Sequence, residues 1–209
     1  MIGKSDQANH EYDLSAFWTE VKNHNMLAVS FLKAAAFEDG HTSYIDPLDE
    51  QQYLVNTINA LEQTDECKEM AVIITWGDCD GWYDHQMGSI VHQSNVSDVQ
   101  LLGPGNCGSP KSNDTSGGTQ NGRCGIGRRT PLRVISPFAK RNYVDHRVLD
   151  FSSILRFIED NWNLGRIGGG STDAVAGLLD GLFDFDGSHH RYRLVLDPST
   201  GQIVGQGQD

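Results

Sequence analysis

The sequence has no apolar run approaching the roughly 18 residues that a membrane-spanning helix needs, and its first residues, MIGKSDQANHEYD, lack the apolar centre of a secretory signal peptide. No transmembrane segment and no signal peptide are therefore expected in this chain. Positive charge is also scarce. Sixteen Lys and Arg stand against 28 Asp and Glu, a formal net charge of −12, which repels a nucleic-acid backbone and argues against a nucleic-acid partner. Cysteines number four, Cys67, Cys79, Cys107 and Cys124, and none falls into the CxxC spacing of a zinc ribbon.

Two of those cysteines differ in setting. Cys107 and Cys124 bracket GSPKSNDTSGGTQNGR, a stretch without apolar side chains that cannot hold a shape by burial. Residues 103–128 read as an insertion that a Cys107–Cys124 disulfide would close, a bridge worth on the order of 3 kcal/mol and one that implies an oxidising compartment.

At 209 residues the chain is long enough for one domain with a sizeable core. Asp13 precedes LSAFWTEVKNHN, whose Leu14, Phe17, Trp18 and Val21 recur at helical spacing. MLAVSFLK, residues 26–33, is short, apolar and bounded by polar turns, the pattern of a buried strand. Asp46-Pro47 opens a helix that the pattern carries to Glu62. Further strands are predicted at 70–76 and 132–136, a helix after Asp150 or Ser152, a shorter helix over 173–182, and a β-hairpin in RYRLVLDPSTGQIVG. Alternating strands and helices predict an α/β fold with a mostly parallel sheet, and ligands in such sheets gather where strands end.

One strand end draws attention on that ground. AVIITWGDCDGWYDH places Asp78, Asp80, Asp84 and His85 directly after an apolar run. Oxygen ligands suit calcium or magnesium, and zinc or iron accepts the imidazole as well; a solvated polar turn explains the same residues. An EF-hand is excluded, because glycine comes fourth rather than sixth and Ser89 stands where the closing Glu belongs. His41 in DGHTSYIDP and His146 in VDHRVLD lie in loops. GRIGGGS follows a helix and lacks the GK[ST] ending of a phosphate-binding loop.

The ordered blocks DQANHEYDLSAFW, VSFLKAAAFEDGHTSYIDPLDEQQYLVNTINALE, AVIITWGDCDGWYDH, GRCGIGRRTPLRVISPFAKRNYVDH and SSILRFIEDNW together resemble the carboxyl-terminal half of the bacterial phosphoesterases that include phospholipase C and acid phosphatase, within the alkaline phosphatase-like superfamily. The resemblance implies an α/β/α sandwich with a mostly parallel sheet, present as its C-terminal portion and followed by the hairpin. It implies phosphoric ester hydrolysis with a divalent metal, calcium, zinc or iron, and a hydroxyl nucleophile. Asp78 matches the second of two adjacent metal-binding acids, and Gly77 stands where the first would be. His41 matches a histidine that contacts phosphate or assists the leaving group. Asp80, Asp84, His85 and His146 match flanking positions that support the metal or the substrate. The family's nucleophile and its acidic-asparagine pair have no matching positions in this sequence, so the resemblance further implies that the chain is inactive alone and that a missing N-terminal half is its partner. Its substrate would be a phosphate ester or phospholipid, and the parent protein secreted or periplasmic. A degenerate domain that binds an anion or a partner without chemistry is the alternative.

Overall fold

The computed structural model describes residues 10–41, 45–77, 126–168, 171–186 and 192–208. Chain contacts divide the molecule into two compact units, Met1–Val72 with Ser188–Asp209, and Ile73–Gly187.

In the first unit, α1 (Leu14–Lys22) buries Val21 and sets Phe17 edge-on to Trp18 at 5.1 Å. Asp13 takes the extended backbone of an N-cap, but its carboxylate makes no capping bond. α2 (Pro47–Leu61) has the capping that its sequence announces. The Asp46 carboxylate accepts the Leu48 N–H at 2.9 Å, and Asp49 and Glu50 place negative charge at the positive end of the helix. Val55 and Leu61 are its buried residues.

The tail forms an antiparallel pair, β3 (Tyr192–Leu196) with β4 (Ile203–Gln208), irregular between Val195 and Leu196. Its turn is tied by one carboxylate. Asp197 Oδ1 accepts the N–H groups of Ser199 and Thr200 at 3.0 and 2.7 Å and the Thr200 hydroxyl at 2.9 Å. Those donors, the hydroxyl first, hold the Asp197 carboxyl below the usual range. Gly201 completes the turn at φ 67°, a region that favours glycine.

Side chains of α2 cover the outer edge of β3. The Asn59 amide donates to the Leu196 carbonyl at 2.8 Å and accepts its N–H at 3.2 Å, as a neighbouring strand would. Glu62 accepts the Leu194 N–H at 3.2 Å, and Gln51 donates to the Pro198 carbonyl at 2.9 Å.

The strand predicted at 26–33 does not form: the segment is irregular. An apolar run becomes a strand only when another strand takes its N–H and C=O groups, and among the described residues none does.

The second unit holds a two-stranded sheet of β1 (Val72–Thr75, from Ile73 onward in this unit) and β2 (Leu132–Ile135). β1 is thus shorter than the predicted 70–76. After β2 the chain turns at Ser136 and runs beside residues 182–184: the Lys140 N–H reaches the Leu182 carbonyl at 2.9 Å, and the Asp184 N–H reaches Phe138 at 2.8 Å. α3 (Phe151–Trp162) starts in a reciprocal cap. Asp150 accepts the Ser153 N–H at 3.2 Å, and the Ser153 hydroxyl accepts the Asp150 N–H at 3.1 Å. Phe157, Phe183 and Phe185 stack at 5.0 and 5.3 Å between ring centres, with Leu179 and Ala176 buried beside them in sequence.

A second expectation fails in this unit. The helix predicted over 173–182 is replaced by two single tight turns, Thr172–Ala174 and Leu179–Leu182. Arg156 donates to the Ala176 carbonyl at 2.6 Å, occupying an acceptor that a continuous helix would use. Gly177 meanwhile lies so near residue 148 that a Cβ there would come within 2.1 Å of the Val148 carbonyl oxygen.

Candidate functional site

The Asp39 carboxylate accepts the His41 N–H at 3.0 Å, closing a tight turn through Gly40. Gly40 has φ 77°, a backbone conformation that favours glycine, and a Cβ on it would lie 2.6 Å from the Glu50 carboxyl carbon, so the Glu50 carboxylate would have to move. The turn leaves His41 exposed, four residues after the Phe37 ring and five before the α2 cap.

His146, also exposed, belongs to the second unit. Its two sequence neighbours clasp each other. Asp145 accepts the Arg147 backbone N–H at 2.9 Å and the guanidinium at 2.7 Å, while Arg147 Nη1 reaches Asp180 at 2.8 Å. Arg147 holds both carboxyls below their usual range, and the two carboxylates in turn raise the guanidinium. Gly181 makes room: a Cβ there would fall 1.7 Å from Arg147 Nη2. The clasp fixes the backbone on both sides of His146 and leaves the imidazole outside it. Sequence reasoning missed Asp145, Arg147 and Asp180. DHR hinted at the first pair, but nothing local linked Arg147 to an acid 33 positions on.

Gly77 ends the described part of the strand-end motif. It is exposed, and a Cβ built on it meets nothing within 4 Å. Asp78, Asp80, Asp84 and His85 lie outside the described residues, as do Cys107, Cys124 and the insertion between them. Among the described residues, no group of three or more His, Cys, Asp or Glu could hold a metal ion, and none of their helices is long and apolar enough to cross a membrane.

Residues 166 and 167, just after α3, are engaged by protein carboxylates. Asp173, fully buried, accepts the Ile167 N–H at 3.1 Å, and Arg166 pairs with Glu159 at 3.2 Å and Asp160 at 2.6 Å. The Ser171 hydroxyl, ahead of the backbone donors, holds the Asp173 carboxyl low. The Asp173 carboxylate at the Ile167 N–H would repel a phosphate there.

Comparison with known proteins gives these positions a context. A family model described as "Phosphoesterase family" matches residues 2–165, a span that includes His41, Gly77, Asp78, Asp80, Asp84, His85 and His146. The non-hemolytic phospholipase C of Pseudomonas aeruginosa is 26% identical over 156 residues, covering 73% of this chain and 22% of that protein. A non-hemolytic phospholipase C of Burkholderia pseudomallei is 27% identical over 146 residues, 69% of this chain and 20% of its own length. The hemolytic phospholipase C of P. aeruginosa is 30% identical over 146 residues, 66% of this chain and 18% of its own. The chain therefore spans about a fifth of the length of the curated relatives it matches.

Proposed function

Because the chain belongs to the phosphoesterase family, we propose that it contributes part of a metal-assisted centre for hydrolysis of phosphate esters, with a phospholipid or a smaller ester as substrate. The match over residues 2–165 carries this reading, and the phospholipase C names of three relatives support it. Asp78 is the proposed metal ligand and His41 the group that contacts phosphate or the departing oxygen. Asp80, Asp84, His85 and His146 support them. A divalent cation, calcium, zinc or iron, would lower the pKa of a hydroxyl nucleophile and offset charge on the phosphoryl oxygens. The described residues hold no such ion by themselves, and Gly77 supplies no oxygen beside Asp78.

The nucleophile is proposed to come from polypeptide beyond this block, since no position of the sequence matches the family's nucleophile or its acidic-asparagine pair. Alone, then, the chain turns over little substrate. Export of the parent protein follows from the proposed Cys107–Cys124 bridge, which needs an oxidising compartment. One observation favours the second reading, a non-catalytic domain that binds an anion or partner: glycine occupies the position of a ligand.

Open space around Gly77 makes the test practicable. Native mass spectrometry of the full chain with zinc, calcium or iron(II) should show weak binding that Asp78→Ala removes and Gly77→Asp strengthens. Identical behaviour of all three proteins would reject Asp78 as a ligand.

A further inference from the structure

Arg147 stands next to His146, but its guanidinium faces carboxylates with all three nitrogens. Nε donates to Asp145 Oδ1 and Oδ2 at 3.1 and 3.0 Å, Nη2 to Asp145 Oδ2 at 2.7 Å, and Nη1 to Asp180 Oδ1 at 2.8 Å. The Asp180 end is itself fastened. Asp180 Oδ1 also accepts the Gly181 N–H at 2.7 Å, and the Lys140 ammonium donates to the Gly181 carbonyl at 2.8 Å. At the other end the Asp145 side chain is only 4% exposed, and its bond to the Arg147 N–H spans His146 in a tight turn.

We infer that Asp145, Arg147 and Asp180 are positioning residues for His146, a brace that fixes where the imidazole is attached and leaves the phosphate contact to it rather than to Arg147. The inference rests on the role proposed above for His146 and adds the residues through which that side chain is presented, one of which, Asp180, lies beyond the matched span. Two considerations carry it. A planar guanidinium held by two carboxylates orders the loop before any ligand arrives, so less freedom is lost on binding. The same guanidinium offsets two negative charges that would otherwise repel a phosphate beside His146.

NMR of the full chain labelled at histidine and arginine, titrated with inorganic phosphate, tests this. The His146 imidazole signal, identified by its loss in His146→Gln, should move saturably with phosphate while the Arg147 Nε signal stays. Arg147→Lys keeps the positive charge but loses the fork, and should weaken the response at His146 by about tenfold or more. Asp180→Asn separates the two considerations. Removing a negative charge would by itself tighten phosphate binding; loss of the brace weakens it, with faster hydrogen exchange at the Arg147 amide as the local readout. Asp180 is 62% exposed at its side chain, so this variant should move the thermal transition by less than about 4 °C. Unchanged or tighter binding in Asp180→Asn, or a phosphate response at Arg147 Nε without one at His146, would overturn the inference. A wild-type response at His146 that both variants leave intact would overturn the inference alone and spare the proposed function. No wild-type response at His146 would reject its supporting role and the inference with it.

Discussion

The tail hairpin and residues 26–33 are both strand-like by pattern, and only the hairpin is made of strands. YRLVL finds a partner in β4 through a turn tied by Asp197, and its other edge is taken up by Asn59 of α2 and by Glu62 at its C-cap. Among the described residues, MLAVSFLK has neither a turn that folds a neighbour onto it nor a helix whose polar side chains meet its edge. The difference lies in what each segment can hydrogen-bond to. Apolar alternation specifies a capacity for strand, and the partner decides whether it is used.

Substitutions can break or sharpen this contrast. Leu61, 4% exposed, is among the buried residues under α2. Leu61→Ala should lower unfolding free energy by about 2–5 kcal/mol, measured by urea denaturation, and should loosen the support on which β3 rests. Asn59→Ala leaves the Leu196 N–H and C=O without their described side-chain partner and should cost about 1–3 kcal/mol, with faster exchange at Leu196 as the local readout. Acid should act on the same hairpin. Because the folded Asp197 carboxyl sits below its unfolded value, its stabilisation is complete above about pH 4 and is lost as pH falls through the folded value. Turn amide shifts of Ser199 and Thr200 in NMR should therefore move only in that acidic window. Phe31 is 80% exposed, so Phe31→Asp should change stability of the chain by less than about 0.5 kcal/mol; a larger loss would show that Phe31 is packed rather than exposed.

What could be read from sequence divides along the same line. The caps at Asp46 and Asp150 were legible because a capping side chain acts on its own helix within three residues. Helix α3 was legible for the same local reason, whereas its end at Asn163, left-handed at φ 52°, was not named in advance. The failures are long-range. Nothing inside 26–33 says that a partner is absent from the described residues, and nothing inside 173–182 says that Arg156 will claim the Ala176 carbonyl or that Gly177 will be pressed against Val148. In the candidate site, His41 and His146 were named from their loops and both are exposed. The Asp145–Arg147–Asp180 clasp was not foreseen, because Asp180 arrives from a distant turn. Asp78, Asp80, Asp84 and His85 remain a proposal from family position alone.

The most direct test of the central claim, that this block is one part of a phosphoesterase centre completed by other polypeptide, is hydrolysis of p-nitrophenyl phosphate by the purified full chain with zinc, calcium or iron(II). The claim predicts turnover no higher than that of Asp78→Ala. Metal-dependent turnover by the chain alone, abolished in Asp78→Ala, would contradict it.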